Sequence, residues 1–143
     1  MPVVIASDHA GYQLKKRLVD RLVSQGIETE DLGPFNDQVC DYPLMARKVV
    51  NFMQNNLGWK GVLVCGSSLG MCIAANRFPG VRAIAASTAE HARLGRSHNN
   101  GNVLCLGGRL TPEPLALEIL DVFLNTDFEG GRHQARVDML DML

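Results

Sequence analysis

Apolar positions along the chain alternate between two periods. Short runs rich in β-branched residues are followed by longer stretches in which leucine, valine or methionine returns every three or four residues, the signature of βα units feeding a parallel sheet. "PVVIAS" predicts a first strand, and "YQLKKRLVDRLVSQG" a first helix whose apolar face carries Leu14, Leu18, Leu22, Val19 and Val23, with Gly26 as its stop. "IETEDLG" predicts a second strand closed by Gly33-Pro34. "CDYPLMARKVVNFMQNN" predicts an amphipathic helix with Asp41 in the N-cap position and Pro43 in the first turn. "GVLVCG" is apolar on both faces, as a central parallel strand is. After it come a short helix ending near Arg77, a turn at Pro79-Gly80, the strand "VRAIAA" and a helix from Ser87 or Thr88 to the region of His98. The strand "NVLCLGG" and the helix "PEPLALEILDVFLN" complete the series, and the tail "FEGGRHQARVDMLDML" restarts as a helix after Gly130-Gly131.

Five such units joined by right-handed crossovers predict a doubly wound three-layer α/β sandwich with a five-stranded parallel sheet and a C-terminal helical tail. No internal repeat, linker or low-complexity tract divides the chain, so residues 1–143 are read as a single domain. In sheets of this kind ligands sit at the carboxyl ends of the strands. Candidate chemistry therefore lies in Ser7-Asp8-His9, the segment before Asp41-Tyr42, Cys65 through Gly70, Ser87-Thr88 and Gly107-Gly108-Arg109.

Composition narrows the partners. The 143 residues are 46% apolar and 20% charged with a formal net charge of −1, enough to bury a core and too neutral for a nucleic-acid footprint. No run of like charges suits an anionic membrane surface, and no apolar run approaches the ~18 residues of a membrane span. "MPVVIASDHAG" meets a charge too early for a signal peptide, so a cytoplasmic protein acting on small molecules is expected. The four cysteines, Cys40, Cys65, Cys72 and Cys105, contain no CxxC pair, which favours reduced thiols over disulfides or a zinc site.

The stretch "VLVCGSSLGMCIAANR" concentrates the candidate chemistry. Gly66 and Gly70 let backbone amides converge at a helix start, a cradle for an anion without a fixed charge. No lysine follows Gly70 and no GxGxxG occurs, which removes the phosphate loop and dinucleotide fingerprints. Cys65 lies beside that cradle, where a thiol can fall below its free value of about 8.5 and serve as base or nucleophile. A free cysteine on a strand is more often only a small buried residue, and both readings stay open at this point. Asp8-His9 reads equally as a cap plus a surface imidazole, His98 as a residue complementing a helix end, and Arg109 as partner to a structural carboxylate. Arg132 and Arg136, four apart, share one helical face that alone suggests a solvated surface. Taken together, these residues put a thiol, two histidines, three arginines and a carboxylate at one functional rim of the fold, a set that suits a phosphorylated substrate needing proton transfers, and their spacing shows no metal-ligand pattern.

The motifs "SDHAGYQLK", "DYP", "CGSSLGMCIAANR", "GVRA", "SHNNGNVLCLGGR" and "FEGGRHQARV" resemble, in order and over almost the whole chain, the type B ribose-5-phosphate isomerases and their relatives the galactose-6-phosphate isomerases. The resemblance implies a Rossmann-like sandwich, a homodimer or dimer of dimers, a sugar-phosphate substrate, and neither metal nor other cofactor. It implies that Cys65 shuttles a proton between C2 and C1 through a cis-enediolate and that His98 opens the furanose ring. Asp8 and Asp41 would assist ring opening or orient hydroxyls with Tyr42 nearby. Gly66, Ser67, Ser68, Leu69 and Gly70 would form the anion hole. His9, Arg109, Arg132 and Arg136 would hold the phosphate, and Asn99 would contact the sugar. The family loop usually reads Cys-Gly-Thr-Gly-(Ile/Val)-Gly, so Ser67 keeps a hydroxyl, whereas Ser68 adds a Cβ that costs on the order of 1 kcal/mol if that backbone is left-handed. Asn100 stands where aspartate is common, removing a charge near His98. Val137, Met139, Leu140, Met142 and Leu143 offer apolar area for a partner chain, whose crossing tail would complete the neighbour's site. A six-carbon substrate such as allose or galactose 6-phosphate is the rival enzyme reading, and a noncatalytic sugar-phosphate sensor the rival outside enzymes.

Overall fold

The computed structural model describes all 143 residues, Met1–Leu143. Strands and helices alternate as β1 (Val3–Ser7), α1 (Tyr12–Ser24), β2 (Thr29–Asp31), α2 (Tyr42–Asn55), β3 (Lys60–Cys65), α3 (Leu69–Ala75), β4 (Ala83–Ala85), α4 (Ala89–Ser97), β5 (Val103–Gly107), α5 (Glu113–Asn125) and the tail helix α6 (Arg132–Leu140). All five strands are parallel, in the order β2-β1-β3-β5-β4.

The continuous apolar runs of β1, β3 and β5 are explained by burial on both sides, and alternation along each strand sends its side chains to two cores. Val3, Ile5, Val62, Val64, Leu104 and Leu106 pack against Leu14, Leu18 and Leu22 of α1, Ala92 of α4, and Ile119, Leu120 and Phe123 of α5. Val4, Ala6, Leu63, Cys65, Val103 and Cys105 face Met45, Ala46 and Val49 of α2 and Met71 and Ala75 of α3. Each fully buried leucine or valine contributes about 1.5–3 kcal/mol by leaving water, so the paired faces are what fix the strand register. The expected strands over 27–33 and 81–86 shrink to three residues each in β2 and β4. Both are sheet edges with one ladder partner, so the pairing that would extend them is missing on the outer side.

Thr88 caps α4, accepting from the His91 amide at 3.1 Å. Its other end leads into a tight loop, 98–102, organised by Arg96. That guanidinium is 4% exposed and donates to Gly101 O at 2.6 Å, Asn100 Oδ1 at 3.0 Å and Thr126 O at 3.1 Å. Burial lowers its pKa from the ordinary value, with Asp127 opposing and Arg82 reinforcing. Arg82, just before β4, ties the same region together: its Nε donates to Asn100 O and its Nη1 pairs with Asp141 beyond α6. The tail helix is thereby anchored at the edge of the sheet where β4 and β5 begin. Within it Val137 is already covered by its own chain at 3% exposure, which corrects its assignment to a partner-facing surface. Met139, Leu140, Met142 and Leu143 remain exposed.

Candidate active site

At the carboxyl edge of the sheet the loops after β1, β2, β3 and β5 converge. Asp8 ends β1 almost fully buried, and its Oδ1 accepts from the Gly11 amide at 3.0 Å, closing the turn into α1. The next residue, His9, reaches across to the segment before α2, where its Nδ1 accepts from the Cys40 amide at 3.3 Å and leaves Nε2 unengaged. Asp41 occupies the N-cap position of α2 but its side chain makes no capping bond, so the exposed carboxylate is free for another partner. Burial first, then the carboxylates of Asp8 and Asp41, pushes the Cys40 thiol above its usual range, which shows how closely these groups crowd. The Tyr42 ring lies flat over Gly70: a Cβ there would stand 2.7 Å from Tyr42 Cε1, so only glycine fits.

Cys65 is the last residue of β3, 4% exposed, on the α2–α3 face of the sheet. The loop it enters is held from below, since Gly108 N donates to Cys65 O at 2.7 Å and Arg109 N to Gly66 O at 3.0 Å. Ser68 adopts φ 76° and ψ −23°, the left-handed conformation, so the extra Cβ relative to glycine sits in a strained position and its hydroxyl makes no capping bond. That turn leaves the amides of Gly66, Ser67, Ser68 and Gly70 without any protein acceptor, while Ser67 Oγ accepts from Leu69 N at 3.3 Å. A Cβ on Gly66 would meet Arg109 Cδ at 3.4 Å and Nη1 at 3.5 Å, so the guanidinium lies across the loop. A thiol, a row of unspent donors and a cation therefore share one small volume. All four cysteines are free. The pKa of the Cys72 thiol is lowered to about 7, chiefly by its neighbour Cys105 and further by the Ala85 backbone and Asn76.

His98 and Asn99 are not at this rim. They close α4, and the loop that follows returns to the start of the sheet, where Asn102 O accepts from Gly61 N at the beginning of β3. The six residues of β3 separate the two edges by about 17 Å at 3.3 Å per residue. The expectation of one rim carrying all the polar groups is thus corrected: α4 runs antiparallel to the strands, so whatever ends it lies opposite to whatever ends β3. At the amino edge His98 stacks on His133 with ring centroids 4.3 Å apart and planes 16° from parallel. Glu129 sits 3.4 Å from His133 Nε2 and its amide donates to Ser97 O. Arg132 and Arg136 flank the pair, exposed and without a carboxylate partner, whereas Arg17, Arg21, Arg82 and Arg93 are all ion-paired. Arg109 is likewise unpaired, against the reading that gave it a structural partner. Burial, His98 and Arg132 together hold the His133 pKa below its ordinary value. Neither His133 nor Glu129 stood out in the sequence, although their four-residue spacing on one helical face was visible.

Between the two edges a cavity of about 740 Å³ follows the unpaired side of β4, with Asn99, Leu140 and Leu143 at one end and Ala85 and His91 at the other. Exposed apolar side chains border both half-sites: Tyr42, Leu44, Leu69 and Ile73 near the cysteine, Met139, Leu140, Met142 and Leu143 near the arginines.

A family model described as Ribose/Galactose Isomerase matches residues 3–140. A protein of Listeria innocua named ribose-5-P isomerase B is 37% identical over 141 residues, covering 99% of this chain and 95% of its own length. The crystal structure of a ribose 5-phosphate isomerase from Thermotoga maritima superposes with a TM-score of 0.96 at 46% identity, covering 99% of this chain and 98% of that one. The ribose-5-phosphate isomerase B of Mycoplasma genitalium, crystallised with bound ribulose-5-phosphate, gives 0.95 at 39% identity, covering 99% and 94%.

Proposed function

This chain belongs to the ribose/galactose isomerase family, and we propose that it interconverts D-ribose 5-phosphate and D-ribulose 5-phosphate in the cytoplasm without a metal or other cofactor. The observation that carries the reading is the set of unspent amides of Gly66, Ser67, Ser68 and Gly70 directly after Cys65, with Arg109 laid across Gly66. A proton on C2 of an open-chain aldose is weakly acidic until the neighbouring carbonyl oxygen can take up charge. Preorganised donors aimed at that oxygen are worth roughly 3 kcal/mol each, and here they are backbone groups that need no reorganisation. Cys65 as thiolate takes the C2 proton, the amides hold the cis-enediolate while the O2 proton passes to O1, and the same sulfur returns the proton to C1. Ser67 and Leu69 belong to the loop that shapes this hole, and Ser68 sets its turn. Asp8, Asp41 and Tyr42 orient the sugar hydroxyls, and His9 Nε2 and Arg109 bind one side of the phosphate.

His98 as the acid that opens the ring, Asn99 on the sugar, and Arg132 and Arg136 on the phosphate come from a second chain. A single chain carries the two half-sites at opposite edges, so they meet only where the carboxyl edge of one copy faces the amino edge of another. A two-fold symmetric pair makes that contact twice and yields two complete sites. The apolar borders of both half-sites and the unpaired edge of β4 support a homodimer, alone or within a dimer of dimers. The relatives named for ribose 5-phosphate favour the pentose, while the family description also covers a galactose substrate. Incubation with a panel of pentose and hexose phosphates in deuterium oxide separates these. Solvent deuterium at C1 or C2 is expected with the ribose and ribulose phosphates. Label only in a six-carbon phosphate reassigns the substrate, and no label anywhere removes the enzyme.

A further inference from the structure

The amino edge carries donors that the isomerisation does not use. His133 is 7% exposed and its Nε2 is buried without a hydrogen-bond partner, although the Glu129 carboxylate is 3.4 Å away. A buried imidazole nitrogen left unsatisfied is costly and rare, and it marks a place where a partner is missing. His98 brings a second imidazole against the first. The ligating atoms of His98, Glu129 and His133 all lie within 4.8 Å of one another. Donors around tetrahedral zinc stand about 3.4 Å apart, from metal–ligand bonds of about 2.0–2.1 Å. Closing that gap requires His98 to rotate out of its parallel stack, because two ring lone pairs in parallel planes do not converge. His98 is half-buried and Glu129 exposed, so both have room to turn, while His133 is fixed by its helix and its burial.

We infer that His98, Glu129 and His133 form a binding site for a borderline divalent cation such as Zn²⁺, and that the ion inhibits the enzyme by capturing the imidazole that opens the sugar ring. Two imidazoles and one carboxylate are a common three-ligand zinc set, with water in the fourth position. The binding half rests on the proximity of the three groups and the unpartnered His133 Nε2, with His98 turning out of its stack. The inhibitory half rests on the reading of His98 as the ring-opening acid. A histidine whose lone pair is held by a metal cannot be protonated to imidazolium and keeps only a weakly acidic ring N–H, and turning it out of the stack also moves it from the sugar. Arg132 and Arg136 flank the site and repel a cation, Glu129 is the one carboxylate among the ligands and the nearby Glu90 is taken up by Arg93, so binding is reversible and about micromolar, far weaker than that of a structural zinc site.

Titration of the metal-free full-length protein with Zn²⁺, followed by calorimetry, tests the site. One ion per chain is expected, with affinity falling about tenfold or more in Glu129→Gln and in His133→Gln. Because Glu129 is exposed, the first variant keeps the fold even if the buried histidine does not tolerate change. Cobalt(II) at the same site is expected to show d–d bands without a thiolate charge-transfer band. Turnover should fall in step with occupancy, return on chelation, and be less zinc-sensitive in Glu129→Gln. Unchanged affinity in Glu129→Gln overturns the site, and so does a cobalt spectrum with thiolate character, which assigns the ion to the cysteines. Binding that depends on Glu129 but leaves turnover untouched upholds the site and overturns its inhibitory role, and with it the assignment of His98.

Discussion

The two edges of this sheet hold polar chemistry by opposite means. At the carboxyl edge Cys65, Asp8 and Ser68 are all under a tenth exposed, and the donors facing outward are main-chain amides fixed by strand ends and one left-handed turn. At the amino edge Asn99, Arg132 and Arg136 are exposed side chains just past α4 and along α6, free of ion pairs. Rigid dipoles are effective where charge develops during reaction, because they cost no reorganisation. Long cationic side chains suit the grip on a phosphate that does not itself react, where reach matters more than fixed position. In the proposed function, stabilisation of the enediolate thus falls to the carboxyl edge, while the amino edge supplies the longer arms on the phosphate together with the ring-opening imidazole of His98.

The contrast can be broken most forcefully at the thiol. Cys65→Ala is expected to lower kcat by about 10²–10⁴-fold, the contribution of a positioned proton-transfer group, with little change in KM. Steady-state rates over a substrate range check this, and an unaltered kcat would reduce Cys65 to a core residue. Arg132→Ala and Arg136→Ala should act on the other parameter. Each loses a charge-assisted bond worth about 1.5–3 kcal/mol, or a roughly 10–100-fold loss in kcat/KM carried mainly by KM. Their urea midpoints should match the parent, since neither side chain is buried or paired. The smallest effect is expected at the loop: Ser68→Gly relieves the left-handed strain and stabilises by about 0.5–1 kcal/mol, with part of the gain offset by a more flexible unfolded chain. Urea denaturation reads this, and a loss of stability would mean that the Ser68 side chain is held by something other than the turn.

The layers were legible in the sequence because the switch between periods of two and about three and a half residues is imposed by burial, which each strand and helix carries locally. The loop after β3 was legible for a similar reason, as Gly66 and Gly70 announce a backbone that must bend and approach closely. Strand ends at the margins were not: "IETEDLG" and "VRAIAA" have the right residues, but their outer halves lack a neighbour to pair with. The grouping of His98 with Cys65 failed for a topological reason that was available beforehand, since a residue closing a helix in a βα unit lies opposite to one closing a strand. Ser68 could not be resolved without the dihedral angle. Asn100 reads differently in three dimensions as well, for it accepts a bond from buried Arg96 and itself takes φ 48°. His133 escaped notice because its significance lies in stacking on His98, a contact between residues far apart in the chain.

The proposed function requires each complete site to join the carboxyl edge of one chain to the amino edge of another, and subunit mixing tests this directly. Cys65→Ala and His98→Asn proteins, each nearly inactive alone, are unfolded together, refolded as an equal mixture and assayed. Half of the dimers formed at random would be mixed, each with one site built from two intact edges, so about a quarter of parental activity should return. A mixture no more active than its separate components would show that thiol and imidazole serve the same chain, and would contradict the account.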